Sequence, residues 1–132
     1  MSKNPIFVLH KHHARTLHFD LRLEIRGVLK SWAVPKGAPK TIGAKHLAIC
    51  TENHALKYAR FEGVIAEGNY GAGTVKIWDS GTFENLKTQS LTSCLKEGVI
   101  TFKLQGKKLK SYYALVHFRG KNWLWIKIKK PC

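Results

Sequence analysis

Between His12 and Glu24 the chain reads His-His-Ala-Arg-Thr-Leu-His-Phe-Asp-Leu-Arg-Leu-Glu. From His18 onward the alternation is strict, with His18, Asp20, Arg22 and Glu24 on one parity and Phe19, Leu21, Leu23 and Ile25 on the other. A period of two is the mark of a strand, so an apolar face packs inward and an imidazole, two carboxylates and a guanidinium share the other. Two imidazoles, His12 and His18, with the Asp20 carboxylate suit a divalent first-row ion such as Mn²⁺, Zn²⁺, Co²⁺ or Fe²⁺. Three protein ligands leave coordination positions open, the arrangement of a catalytic centre. Arg22 cannot ligate a metal, but its planar fork suits a phosphate oxygen. An ion beside an arginine is an apparatus for neutralising phosphoryl charge. The plainer reading is a solvated polar strand face, with Arg22 paired to Glu24 in a surface bridge worth little.

These residues need elements to position them. Ile6–His10 reads as a first strand and Lys11-His12-His13 as a turn, so His12 is expected to reach the ion from a loop. The organising strand spans residues 16–25, and Val28–Val34 is its hairpin partner across Arg26-Gly27. Pro35-Lys36-Gly37-Ala38-Pro39 is loop and places the Lys36 cation on a constrained segment. Leu47–Cys50 is a further strand, closing into Glu52-Asn53-His54 and then Tyr58, where side chains can converge on a barrel mouth. The run Gly68–Gly73 lacks the Gly-Lys-Ser/Thr ending and the following helix of a phosphate loop, and reads as a tight turn. Thr74–Asp79 is a strand, Ser80-Gly81 a turn and Thr82-Phe83 a short strand. Leu91, Cys94 and Leu95 fall at near-helical spacing within 87–97, and 99–104, 111–118 and 123–129 read as three closing strands. Trp123, Trp125, Lys127 and Lys129 alternate with Leu124, Ile126 and Ile128, a basic-aromatic face suited to lining a nucleic-acid groove or to packing under a loop. The class expected is all-β, a compact closed or nearly closed barrel of about eight strands with at most one or two short helices.

The chain of 132 residues reads as one domain over 1–132. Twenty-three Lys and Arg face eight Asp and Glu, a net charge of +15, and no acid follows Glu97. Such an excess points to a polyanionic partner, nucleic acid before an anionic membrane, since no amphipathic basic helix is visible. The Lys-rich end is expected to track a nucleic-acid backbone with marked salt sensitivity. No apolar run approaches the length of a membrane span and the N-terminus lacks a leader's apolar region, so a cytoplasmic protein without a membrane partner is expected. Cys50, Cys94 and Cys132 form no CxxC pair, which speaks against a disulfide framework or a cysteine zinc site, and Cys50 reads as a small core residue.

Taken together, Lys11–Arg15, Leu17–Glu24, Gly27–Gly37, Phe61–Ile65, Glu67-Gly68, Tyr70–Val75, Trp78–Thr82 and Lys121–Leu124 resemble the 3′-phosphoesterase domain of bacterial DNA ligase D and its stand-alone bacterial and archaeal forms. The likeness covers essentially the whole chain, and the H-x5-H-x-D-x-R strand joined to Ser31-Trp32-Ala33-Val34-Pro35-Lys36-Gly37 makes it specific. It implies a compact β-barrel with a metal site in a surface groove. The implied activity removes a 3′-terminal ribonucleoside as a phosphodiesterase, then the remaining 3′-phosphate as a phosphomonoesterase, leaving a 3′-OH for repair. By this resemblance His12, His18 and Asp20 hold the metal, Mn first, with Zn or Co as alternatives. Arg22 and His54 contact phosphate, Tyr58 and Lys36 stand nearby and Glu24 supports them. His46 occupies the position where the family usually has an Arg eight residues before the histidine matching His54, and it is counted among the phosphate-binding positions. An imidazole cannot form a bidentate fork, which bears on the balance between the two activities. The implied substrate is a primer-template with a 3′-ribonucleotide or 3′-phosphate end. Without flanking polymerase and ligase domains, the chain reads as the stand-alone form, meeting ligase or polymerase repair proteins in trans.

Two rival functions follow from the same residues. His-x-Asp with a distant His is also the facial triad of non-haem iron oxygenases, a reading that leaves Arg22 and the net charge with little to do. A non-catalytic single-strand-binding barrel suits the basic C-terminal third, but gives no reason for three metal-type residues to converge.

Overall fold

Alternating apolar residues build nine strands in the computed structural model, which describes residues 4–69 and 71–131. They are β1 (Ile6–His13), β2 (Leu17–Ile25), β3 (Val28–Val34), β4 (Lys45–Ala55), β5 (Gly63–Ile65), β6 (Gly73–Asn85), β7 (Val99–Gly106), β8 (Tyr112–Arg119) and β9 (Asn122–Ile128). Helix α1 (Leu91–Glu97) and a 3-10 turn (Leu56–Arg60) complete the described elements. Strands run antiparallel in the order β1-β2-β3-β4-β9-β8-β7-β6, and β6 returns to pair with β1. The expected barrel is therefore closed, with eight strands, and β5 is an extra strand added on β6.

The apolar parity of each strand lines the interior. Phe7, Leu9, Leu21, Leu23, Trp32, Val34, Phe102, Leu104, Tyr113 and Leu115 are buried there. Aromatic contacts run through this core, from Phe83 to Phe102 at 6.1 Å, on to Tyr113 at 5.9 Å and to Trp125 at 5.6 Å between ring centroids. Trp123 and Trp125 thus face inward at 6% and 0% exposure, and the nucleic-acid groove considered for them is instead barrel core. Large rings fill an eight-stranded interior that smaller side chains would leave hollow. Cys94 on α1 is buried against the same core, whereas Cys50 packs on it half-buried. The helix is framed by Ser90, whose hydroxyl accepts from the Ser93 amide, and by left-handed Gly98.

Two turns come out differently from the sequence reading. Residues 11–13 continue β1, so His12 stands on a strand directly opposite His18 and not in a loop. Ser80-Gly81 is no reverse turn, because β6 passes straight through it. Gly81 pairs with Phe7 of β1 on one side and Gly106 of β7 on the other, and a Cβ there would collide with the Gln105 carbonyl oxygen, so the glycine admits a close backbone and does not reverse the chain. The Arg26-Gly27 hairpin is as expected, with positive φ at both residues.

Candidate metal and phosphate site

The polar parity of β1 and β2 faces outward, and the strand register aligns it. His12 lies opposite His18, His10 opposite Asp20, and Val8 opposite Arg22. Ser31 and Ala33 on β3 extend the same face beside Arg22 and Asp20. The site therefore sits on the outer wall of the barrel and not at its mouth. Over it folds a flap made of the 3-10 turn, Phe61, β5 and the glycine-rich run that follows. The flap is fastened where the Ile77 amide donates to the Glu62 carboxylate at 2.8 Å and where Val8, Leu29 and Ala59 form a small apolar cluster under Tyr58. Between wall and flap lies a cavity of about 440 Å³, lined by His12, His18, Asp20, Arg22, His54 and Tyr58 among others. A larger, shallower hollow of about 830 Å³ opens beside it against Arg15 and the 67–73 run, with no imidazole among its lining residues.

His12, His18 and Asp20 each offer a ligand atom, all within 4.8 Å of one another, close enough to hold one metal ion. His12 Nδ1 is 3.6 Å and His18 Nε2 3.4 Å from the Asp20 carboxylate oxygens. The donor set fits an ion in a second respect. The His12 Nε2–H donates to the Gly71 carbonyl at 2.8 Å, which leaves the Nδ1 lone pair facing the cluster. The glycine-rich run is a pair of tight turns, as expected, yet it also supplies this orienting carbonyl; Tyr70 within it lies outside the described residues. Its approach depends on Gly73, at φ +133°, where a Cβ would collide with the His13 carbonyl oxygen. Burial opposes charge on Asp20, but the His18 hydrogen bond and the Arg22 guanidinium together hold its carboxyl below the usual range. Its contact with Asp20 in turn raises His18.

Arg22 is only 5% exposed and is held on every side. Its Nε donates to His10 Nδ1 at 3.1 Å, its Nη1 to Ser31 Oγ at 2.9 Å and to His54 Nδ1 at 3.1 Å, and its Nη2 lies 3.4 Å from Asp20 Oδ2. The Tyr58 ring covers the guanidinium at 4.9 Å and stacks on Phe61 at 4.9 Å. Because arginine only donates, both imidazoles accept from it. His10 then carries its proton on Nε2, which donates to the Phe61 carbonyl at 3.1 Å. Full burial and the neighbouring guanidinium push His10 down to about 4, so it is neutral at physiological pH. His54 is lowered for the same two reasons. Its Nδ1 also lies 3.2 Å from the Glu52 carbonyl, a bond available only when Nδ1 carries a proton, and hence exclusive of the bond from Arg22.

Of the residues singled out from sequence, His12, His18, Asp20, Arg22, His54 and Tyr58 meet in this cavity. His54 lies within β4, which extends to Ala55, and a bulge opposite Leu29–Ser31 re-aims the strand there. Three others stand elsewhere. Glu24 accepts the Ile6 amide at 2.9 Å and ties down the start of β1. Lys36 lines a separate cavity at the end of the barrel. The His46 Nδ1–H donates to the Gly37 carbonyl at 2.7 Å, beside Lys36 and not beside Arg22. Sequence reasoning passed over His10 and Ser31. The signal for His10 was its parity, since a first strand running to His13 puts His10 and His12 on one face.

A closed barrel whose outer wall carries two imidazoles, a carboxylate and a buried guanidinium has the donor set for a divalent ion next to a phosphoryl group. The chain belongs to the DNA ligase D 3′-phosphoesterase domain family, whose pattern matches residues 10–117. It is 47% identical over 123 residues to the multifunctional non-homologous end joining DNA repair protein LigD of Mycobacterium tuberculosis, covering 93% of this chain and 16% of that protein. The LigD proteins of Mycolicibacterium smegmatis and Pseudomonas aeruginosa are 45% and 43% identical, covering 96% and 93% of this chain and 17% and 15% of theirs. The chain thus spans about a sixth of the length of these relatives. Among the described residues, no helix is long and apolar enough to cross a membrane.

Proposed function

We propose that this protein is a metal-dependent phosphoesterase of nucleic-acid 3′ ends, which removes a 3′-terminal ribonucleoside and then the 3′-phosphate in the service of end joining. The observation that carries the reading is the placement of one buried guanidinium, Arg22, within 3.4 Å of a carboxylate that shares a metal-type cluster with two imidazoles. His12, His18 and Asp20 hold the ion, Mn²⁺ before Zn²⁺ or Co²⁺. When bound, the ion supplies Lewis-acid polarisation of a non-bridging phosphate oxygen. Arg22 Nη2, restrained only by its long contact to Asp20, is the donor left for the phosphoryl oxygen whose charge grows in the transition state. His54, accepting from Arg22 at Nδ1, carries its proton on Nε2 and can donate a hydrogen bond from it to a phosphate or leaving-group oxygen. Tyr58 and the Phe61 stacked on it exclude water from the guanidinium. His10 and Ser31 fix the fork in one orientation, so no reorganisation is needed as charge develops. Lys36, with the loop that His46 pins, and Glu24, which anchors β1, act from outside the cavity.

The test is Asp20→Ala, assayed on a 3′-phosphorylated strand and by metal titration. Folding is expected to survive at a cost in stability, since Arg22 loses its carboxylate partner but keeps its bonds to His10, Ser31 and His54, while metal binding and phosphate release fall to background. Metal-dependent turnover retained in that variant would sink the assignment.

A further inference from the structure

A third cavity, of about 380 Å³, opens at the end of the barrel where the half-buried Phe19 and Trp78 reach the surface. Its rim carries Lys36, Lys40, Lys108, Lys110 and Lys127, and no acidic residue is among its lining. None of these ammonium groups forms an ion pair with a carboxylate among the described residues, where every ion pair involves Asp20. Five like charges gathered without a counter-charge repel one another, and an external polyanion relieves the repulsion.

Both sides of the rim are built, not merely decorated with lysines. Asp79, 3% exposed, accepts the backbone amides of Lys107, Lys108 and Leu109 at 2.9, 3.1 and 2.7 Å, fixing the loop that carries Lys108 and Lys110. Gly106 makes room for that carboxylate, since a Cβ there would collide with Asp79 Oδ2. Lys108 Nζ is held 4.4 Å from the centroid of the Trp78 ring, a cation–π contact that keeps the charge at the rim. Across the cavity, His46 pins Gly37, and Lys127 Nζ donates to the Lys40 carbonyl at 3.0 Å.

The rim also continues the proposed active site. Ala33 lines the metal cavity and Lys36 the barrel end, three residues further along one chain, a span of at most about 10 Å. We infer that the lysine-rimmed barrel end is the docking surface for the sugar-phosphate backbone of the nucleic-acid strand, a few nucleotides away from the 3′ end held at Asp20 and Arg22. This rests on the reading of the protein as acting on nucleic-acid 3′ ends and gives that substrate its path.

The probe is a fluorescein-labelled 16-nucleotide single strand with a 3′-hydroxyl, which offers no phosphate to remove. Its binding to the whole chain is followed by anisotropy in EDTA across a salt series. Lys108→Gln with Lys110→Gln is compared with Lys87→Gln with Lys96→Gln, which removes the same charge around α1. We expect the barrel-end pair to weaken binding about ten-fold or more at low salt and to lower the slope of log K against log salt by roughly 1.4, two phosphate contacts at about 0.7 each. The α1 pair should change affinity less than about two-fold. Equal losses in both pairs, the signature of general attraction to a basic protein, or no loss in the barrel-end pair, overturns the inference. Failure of the wild-type protein to release 3′-phosphate would instead sink the proposed activity, and leaves the binding comparison readable.

Discussion

Replacing His10 by Gln removes a titrating group from beneath Arg22 while keeping an acceptor for its Nε and a donor for the Phe61 carbonyl. In the folded protein His10 titrates near 4, against 6.5 for an exposed imidazole. Above pH 6.5 the ring is neutral folded or unfolded, and it contributes its full stability. As pH falls from 6.5 toward 4, the unfolded chain binds a proton that the folded chain refuses, so stability is lost through that window. At 1.36 kcal/mol per pKa unit, the loss attributable to His10 reaches about 2 kcal/mol by pH 5. His54, also lowered, adds a loss of the same sign, and His18, raised by Asp20, opposes it. Both remain in the variant and cancel in the difference. The assay is denaturant unfolding of wild type and His10→Gln at pH 7.5, 6 and 5, with EDTA present to keep ions off the neighbouring ligands. Wild type should lose about 2 kcal/mol more than the variant between pH 7.5 and 5. Parallel pH profiles would show that His10 is not held neutral and that the Arg22 clamp is misread.

Arg22→Lys keeps the charge but not the fork, leaving acceptors on His10, Ser31 and His54 without their donor. Phosphate release should fall about 10²-fold or more and stability by roughly 2 kcal/mol, measured by steady-state kinetics and denaturation. Asp79→Ala strips four amides, those of Ser80, Lys107, Lys108 and Leu109, of their acceptor, and unfolding should show a loss of about 2–4 kcal/mol with the metal affinity of the His12 cluster unchanged.

The barrel and half of the site were legible in the sequence for one reason: alternation marks faces, and faces survive folding. The row from His18 to Arg22 needed only strand geometry to be grouped. His12 was recognised by residue type but placed in a loop, because His12-His13 looks like punctuation when strand β1 is ended at His10; in the structure residues 11–13 pair with β2 across the short turn at 14–16 and, on their other side, with β6 more than sixty residues away. Ser80-Gly81 misled for a related reason. A glycine that admits a neighbouring backbone has the same local appearance as one that turns the chain. Trp123 and Trp125 share a parity with Lys127 further along β9 and alternate with Leu124, Ile126 and Ile128, and alternation alone does not say which parity faces inward when both are apolar. Lys36 and His46 were tied to the site by likeness to the family, whereas register and the His46–Gly37 bond place them at the barrel end, a relation that local pattern does not encode.

The most direct test of the central claim uses a labelled primer-template bearing a single 3′-ribonucleotide, incubated with the protein with and without Mn²⁺. The account predicts stepwise conversion in Mn²⁺ only, first to a strand one nucleoside shorter ending in a 3′-phosphate, then to the same strand with a 3′-hydroxyl. A strand that stays intact in Mn²⁺ while still bound by the protein, or trimming that proceeds equally in EDTA, would contradict it.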